Sequence, residues 1–242
     1  MNVKLIIQYD GTDFSGSQIQ PGQRTVQSEL ENALEKLLGQ RTVTVFSGRT
    51  DSGVHAKEQT VNFSLDGVAI PPDKIFSALN RFLPDDIMAV GSEEVFKDFN
   101  SRFSAKKRTY RYFIRRKHDL FRNRYSLLYP YDIDLEKLNS ACRVFLGKMD
   151  FQAFCSARSD TKNYICEINE LFFFRENDEV VMQISANRFL HNMVRIIVSV
   201  FLDLNTDRIT EGEITEIISR KDRRLSPKTI SPKGLFLWKV EY

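Results

Sequence analysis

The chain has no apolar run near the ~20 residues that a membrane-spanning helix requires. No basic segment followed by an apolar stretch opens it, so no secretory signal is expected. Its three cysteines, Cys142, Cys155 and Cys166, are an odd set without C-x-x-C spacing. That excludes a disulfide framework and a cysteine zinc site, and it fits the reducing cytoplasm. There is no P-loop, no G-x-G-x-x-G fingerprint and no cluster of His and Cys ligands. No pattern in the sequence calls for a metal, nucleotide or other cofactor. Nothing is low in complexity, and no Pro/Gly/Ser-rich linker divides the 242 residues.

A strong net charge is also lacking, since the total is only +3. Its distribution says more. Residues 106–124 carry nine cations (Lys106, Lys107, Arg108, Arg111, Arg115, Arg116, Lys117, Arg122, Arg124) against Asp119 alone. Residues 220–233 carry six (Arg220, Lys221, Arg223, Arg224, Lys228, Lys233) against Asp222. The two windows together hold +13, which leaves −10 on the rest of the chain. A single charge run reads most simply as solvated surface. Two of them on an acidic remainder favour a polyanionic partner, a nucleic acid.

Hydrophobic periodicity predicts the elements. Val3, Leu5, Ile7 and Tyr9 alternate with other residues as in a half-buried strand over 2–9. Asp10-Gly11 opens a turn, and a loop continues to Gly22. Thr25 is placed to cap a helix over 26–38, with Gly39 to stop it. Strands are expected at 42–47, 59–65 and 87–96, and a helix over about 72–83 with Phe76 and Phe82 inward. The second half repeats this grammar without a residue-level repeat: a strand at 108–115, a helix at 135–146 and strands at 164–174 and 179–186. A long apolar helix over about 188–204, a short helix capped by Thr210 with Glu213, and a strand at 235–241 complete it. Consecutive strands mixed with helices point to an α+β fold with a mixed, largely antiparallel sheet. The simplest organisation is two similar lobes, 1–105 and 106–242, sharing that sheet with a central catalytic cleft between them.

The most unusual segment is Ser47-Gly48-Arg49-Thr50-Asp51-Ser52-Gly53-Val54-His55-Ala56. It lies between two expected strands, where a loop is held rigidly enough to carry chemistry. Asp51 has three roles open to it there. It caps a turn, acts as a general base, or attacks as a carboxylate nucleophile. The local sequence does not choose among them, and turn capping is the commonest fate of an Asp between glycines.

The stretch from Gly48 to Ala56 closely resembles the G-R-T-D-A-G-V-H-A motif of the TruA family of tRNA pseudouridine synthases. Further matches follow in order along nearly the whole chain. They are Tyr9-Asp10-Gly11-Thr12 with Phe14, Gly16 and Gln18-Ile19-Gln20; Leu79-Asn80 with Leu83-Pro84-Asp85-Asp86-Ile87; and Arg102-Phe103-Ser104-Ala105 with Arg108, Tyr110 and Tyr112. Then come Asp150-Phe151 with Phe154, Arg188 through Arg195, and Gly234-Leu235 with Val240 and Tyr242.

The resemblance implies the pseudouridine synthase fold and an isomerase in tRNA processing. The activity is RNA modification in the anticodon stem-loop, by a cytoplasmic homodimer that binds RNA. By position it makes Asp51 the nucleophile and Arg195 its basic partner. Tyr110 becomes the ring that packs on the target uracil, and Arg49 a contact to RNA where the nucleotide leaves the stack. The chemistry suits these residue types. The N1–C1′ bond breaks, the uracil turns, and a C5–C1′ bond forms. An aspartate is ionised at neutral pH without help, and an arginine directs it in a site closed to water. The uridine must leave its stack to be reached. An aromatic partner for the flipped base is worth roughly 1–3 kcal/mol. No redox step or net hydrolysis occurs.

Strand alternation puts Tyr110, Tyr112 and Ile114 on one face of the 108–115 strand and Arg111 and Arg115 on the other, where they can serve phosphates. Arg108 and Arg188 lie in matched motifs and join Arg111 as expected substrate contacts. His191 and Arg195 are four apart on the expected helix and share a face. A buried Arg195 requires a partner. His55 and His191 are read as polar residues at the cleft rim, within reach of RNA.

Some positions depart from the family pattern. Ser52 stands where Ala is common, Ser17 where Trp is frequent before Gln18, Asn100-Ser101 in place of His-Ala, and Ser199 in place of Gly. None removes a proposed catalytic group. Two other readings remain alongside: a diverged paralogue acting on ribosomal or other RNA, and a non-catalytic RNA-binding protein. A glycoside hydrolase would need a second paired carboxylate, and no convincing one is found.

Overall fold

The structure is a computed structural model that describes residues 1–65, 67, 70–157 and 159–242. Its elements begin β1 (Asn2–Tyr9), α1 (Val26–Leu38), β2 (Val45–Phe46), β3 (His55–Ser64), α2 (Ile75–Leu79), β4 (Ile87–Val95), β5 (Lys107–Arg115) and β6 (Leu127–Leu128). They continue α3 (Leu135–Cys142), β7 (Gly147–Asp150), β8 (Ile165–Glu176), β9 (Glu179–Ala186), α4 (Met193–Asn205), α5 (Glu211–Arg220) and β10 (Leu235–Glu241). The α+β class read from the sequence holds. Among the described residues no helix is long and apolar enough to cross a membrane.

The chain divides into two compact units, Met1–Lys106 with Phe236–Tyr242, and Lys107–Leu235. The last strand, expected in the second lobe, thus packs in the first unit. The reason is its pairing: Phe236 and Leu237 run parallel to His55 and Ala56 of β3.

In the first unit β1 pairs antiparallel with both β3 and β4, and β2 pairs antiparallel with β3. Val3, Leu5 and Ile7 of β1 are fully buried, as are Val26, Leu30 and Leu34 of α1. Thr25 caps α1 by accepting from Ser28 N–H, and Gly39 ends it at φ 68°. The expected strand at 42–47 shrinks to Val45–Phe46, whereas β3 starts at His55, earlier than the predicted residue 59. The expected helix over 72–83 is a single 3-10 turn at Pro72–Lys74 followed by Ile75–Leu79. Asn80 ends it, because its side chain bonds both backbone groups of Ala89 on β4. Phe82, expected inward, is exposed.

In the second unit β5, β9, β8 and β7 pair antiparallel in that order, and β6 adds parallel to β5. α3 is tied to β8 by Asn139, which bonds both backbone groups of Phe173. It stops at Cys142, earlier than predicted, and a 3-10 turn carries the chain to Phe145. α4 is almost wholly apolar, and its Phe201 packs against Phe145 and Phe173. Thr210 and Glu213 form the expected capping box of α5.

The long helix begins at Met193 rather than 188. Asn192 adopts the left-handed conformation, φ 64°, which an α-helix cannot contain. Arg188–Asn192 is therefore a turn that leads into α4, and His191 does not share a helical face with Arg195.

Candidate active site

Residues 47–54 form a short loop joining β2 to β3, and almost every part of it is fastened within the first unit. Ser47 N–H donates to Thr60 O at 2.8 Å. Gln59, fully buried, accepts from Ser47 Oγ at 2.5 Å and donates to Gly48 O at 3.0 Å. Ser52 Oγ and Gly53 N–H both donate to Phe14 O, and Val54 N–H closes a turn onto Asp51 O at 3.1 Å. Ser52, where the resembled family favours Ala, thus adds a tether of its own.

The segment after β1 lies directly against this loop. A Cβ on Gly11 would sit 2.0 Å from Val54 O, so no side chain fits there. Gly16, at φ +92°, approaches Thr50 O so closely that a Cβ would lie 2.9 Å away. The matched residues around Tyr9-Asp10-Gly11-Thr12 and Gly16 are therefore the bed on which the Asp51 loop rests.

On this loop Asp51 is half-buried and Arg49 is exposed. His55 is not at a rim. It is 1% exposed, its Nδ1 accepts from Gly11 N–H at 3.0 Å, and its ring stacks on Phe236 at 4.6 Å. Residue 55 opens β3 facing the β10 strand, so its imidazole is a strut beneath the loop rather than an RNA contact.

In the second unit Tyr110 is 8% exposed and meets Phe189 edge-on at 5.1 Å. Arg108, two residues before it on the same face of β5, donates to Asn187 O at 2.8 Å. Tyr110, Arg108 and the 187–189 turn are thus brought together. Arg188 is half-buried within that turn. Its charge lies near Cys166 and partly offsets the burial that pushes that thiol up to about 11.

Arg111 and Arg115 do occupy the opposite face, but neither is held out for phosphates. Arg111 Nε donates to Gln183 at 2.8 Å, its guanidinium lies 5.3 Å from the Phe174 ring, and Glu176 is 3.6 Å away. Arg115 is 4% exposed and donates to the carbonyls of Arg122 and Ser126 and to Asn123 Oδ1. β9, beside β5 in the sheet, sets Gln183 opposite Arg111 and Glu179 opposite Arg115, so polar partners for these cations lie within the sheet itself.

Arg195 leaves the first turn of α4 half-buried. Its Nε donates to Ile230 O and its Nη1 to Asn192 Oδ1, both at 2.8 Å. The 230–234 segment that receives it is fixed against β5. Phe113 N–H donates to Gly234 O at 2.9 Å, and Tyr112 OH donates to Ser231 O at 2.7 Å. Burial raises the Tyr112 phenol above its ordinary range, with the nearby Arg195 charge opposing the rise. Asn192 was given no role by sequence reasoning. Its signal was present, since Asn tolerates the left-handed turn better than most residues.

The two basic windows are less bare than their sequence suggests. Lys107 lies by Glu170, Arg116 pairs with Asp132, and Arg122 with Glu179. Lys221 pairs with Asp150 at 3.0 Å and Arg220 with Glu216 at 3.1 Å. Part of the acidic remainder therefore serves as local counter-charge. The exposed pairs among them are worth little, whereas Glu179, which pairs with Arg122, is buried.

Residues 5–104 and 141–242 match a family model described as tRNA pseudouridine synthase. The chain is 44% identical over 246 residues to tRNA pseudouridine synthase A of Bacillus licheniformis, covering 100% of this chain and 99% of that protein. It is 41% identical over 244 residues to the protein of the same name from Caldicellulosiruptor bescii, covering 100% and 99%. The corresponding protein of Listeria monocytogenes serovar 1/2a is 41% identical over 244 residues, covering 99% and 98%. The chain belongs to the tRNA pseudouridine synthase family. That family is one of isomerases.

Proposed function

We propose that this protein isomerises uridine to pseudouridine in tRNA, with Asp51 as the nucleophile. The observation that carries the reading is the loop itself. Asp51, half-buried, stands on a segment fastened at Ser47, Gly48, Thr50, Ser52 and Gly53, so the backbone that carries its carboxylate is held before substrate arrives. Such preorganisation is what a reaction needs when one fragment must be held while the other turns. Asp51 engages the uridine as its N1–C1′ bond breaks. The uracil rotates, C5 bonds to C1′, the C5 hydrogen leaves to water and N1 takes up a proton. No electron is gained or lost, and the reaction calls for no metal or cofactor.

Arg195 is read as the partner of Asp51, balancing its charge and holding its direction. Its guanidinium is oriented for such work by Asn192 and Ile230. Tyr110, braced by Phe189, packs on the flipped uracil, and Arg49 meets the RNA beside it. Arg108 and Arg188 contact the backbone. His55 braces the Asp51 loop within the first unit, and Arg111 is held by Gln183 within the second. The resemblance further supports the anticodon stem-loop as the target and a cytoplasmic homodimer as the working form.

The test is tritium release from tRNA labelled at uracil C5, beside Asp51→Ala. Release by the native protein alone supports the reading, and mapping the product locates the uridine. Release from ribosomal RNA but not tRNA would move the substrate, and no release from either would leave an RNA-binding protein. Arg195→Ala must lower the rate; an unchanged rate removes the ion pair.

A further inference from the structure

Thr50 precedes Asp51 and is the most completely held residue of the loop. Its N–H donates to Ser17 Oγ at 2.8 Å, and its carbonyl accepts from Ser17 N–H at 3.1 Å. Its hydroxyl shares a 2.8 Å bond with Tyr9 OH. The N–H belongs to the peptide that joins Arg49 to Thr50, and the carbonyl to the peptide that joins Thr50 to Asp51. Ser17 therefore grips both planar units that flank Thr50, and two fixed planes fix the dihedrals between them.

Ser17 is itself anchored. It is 1% exposed, and its carbonyl accepts from Gln27 N–H at 2.9 Å, while that of Gly16 accepts from Val26 N–H at 3.3 Å. Both donors stand in the first turn of α1, a helix capped at Thr25 and buried on one face. Tyr9 completes the clamp from β1. Burial pushes its phenol up to about 12, so its bond to Thr50 does not titrate near neutrality.

We infer that Ser17 is a positioning residue for the reaction: its hydroxyl fixes the Arg49–Thr50 peptide and thereby aims Arg49 and Asp51. This rests on the reading of Asp51 as nucleophile. The residue type is decisive. A serine hydroxyl accepts a hydrogen bond, whereas the indole of the Trp frequent here in the resembled family only donates. The backbone bond from Ser17 N–H survives any side chain but proline. Loss of the hydroxyl alone therefore loosens one plane and leaves the other. Its consequence falls on the chemical step, where a misplacement of about 1 Å costs about a hundredfold in rate.

The experiment compares Ser17→Ala, Ser17→Thr and Ser17→Val in the full chain, with Asp51→Ala as control. Tritium release is followed at single turnover across tRNA concentrations, with thermal melting and amide exchange over 45–55. Ser17→Ala is expected to lose about ten- to a hundredfold in the single-turnover rate, with half-saturation shifting less than the rate and faster exchange at Thr50. Thr and Val are nearly the same shape and differ in the acceptor, so Thr recovers the rate and Val does not, whatever either does to stability. Equal rates for Thr and Val overturn the positioning role, as does a native rate for Ser17→Ala beside an inactive Asp51→Ala. An active Asp51→Ala overturns the nucleophile instead, which is a separate failure.

Discussion

Asn192 accepts a 2.8 Å hydrogen bond from Arg195 Nη1, three residues further on, across a backbone that has just turned left-handed at φ 64°. One residue thus does two things. It delays the helix to Met193 and orients the guanidinium that leaves its first turn. The two contributions separate by substitution. Asn192→Gly keeps the turn at little conformational cost and loses the acceptor. It is expected to lower the single-turnover rate about tenfold with a small change in melting. Asn192→Ala loses the acceptor and also pays for the left-handed backbone, about 1–2 kcal/mol. If both variants keep the native rate, the bond to Arg195 has no part in the reaction.

Gly11 carries a severe steric demand. Its absent Cβ would stand 2.0 Å from Val54 O, a backbone atom that cannot swing aside. Gly11→Ala must push the Asp51 loop off its bed or unseat the turn after β1. An expected loss of about 3 kcal/mol in denaturant unfolding follows from such overpacking, with activity falling further than stability. A variant within experimental error of the native midpoint would mean that the loop does not rest on this turn.

Ser101 predicts the opposite sign. Its side chain is fully buried, and its Oγ has no hydrogen-bond partner among the described residues. Its N–H donates to Asn62 and its carbonyl accepts from Tyr242 OH, so the backbone is satisfied without the hydroxyl. Ser101→Ala removes an unsatisfied buried group and is expected to gain about 1 kcal/mol. A loss of stability would show that the hydroxyl is bonded in solution. This departure from the resembled family carries no catalytic role in this account. Its neighbour Asn100 shapes the turn by accepting from Arg102 N–H and Phe103 N–H.

Where the sequence read true, the deciding interactions were local. α1 is legible from Thr25 to Gly39 because its cap, apolar stripe and stop all lie within the segment. The Asp51 loop stood out for the same reason. What stayed hidden depends on partners far along the chain. His55 looked like a polar rim residue, yet β10, contributed by the end of the chain, covers it with Phe236. Arg115 looked like a phosphate contact, yet it is buried as the clasp of the loop that follows it. The start of α4 was overrun because an apolar pattern does not register one left-handed residue.

Stability at alkaline pH follows from buried acids. Burial moves the Cys142 thiol from 9.0 up to about 12, the Cys166 thiol from 9.0 up to about 11, and the Tyr9 phenol from 10.0 up to about 12. In each case the folded state holds its proton more tightly than the unfolded state. The contribution is complete below the unfolded value and is lost as pH rises through the folded one. Stability is therefore expected to fall progressively between pH 9 and pH 12, beginning with the thiols. Cys142→Ala with Cys166→Ala should flatten the curve from pH 9 upward and leave the fall above pH 10, where Tyr9 and Tyr112 ionise in the unfolded chain but burial keeps them protonated in the folded one. Denaturant midpoints across this range decide it, and an unchanged slope in the double variant assigns the loss to other groups.

RNA affinity tests the basic windows separately from catalysis. Several of their cations already face carboxylates, among them Lys221 with Asp150 and Arg122 with Glu179. Binding must then exchange a protein partner for a phosphate, so each such contact gains less than a bare cation would. Affinity for tRNA is still expected to fall steeply with salt, since displaced counterions return to the polyanion. Lys221→Ala should reduce the slope of log affinity against log salt by up to about one unit if it meets a phosphate. It should leave the slope unchanged if Asp150 retains it. Asp150→Asn separates these outcomes further, because freeing Lys221 strengthens binding only where RNA lies within its reach. A salt response that is flat for the native protein would mean that neither window touches the phosphate backbone, and the active-site residues alone would have to hold the RNA.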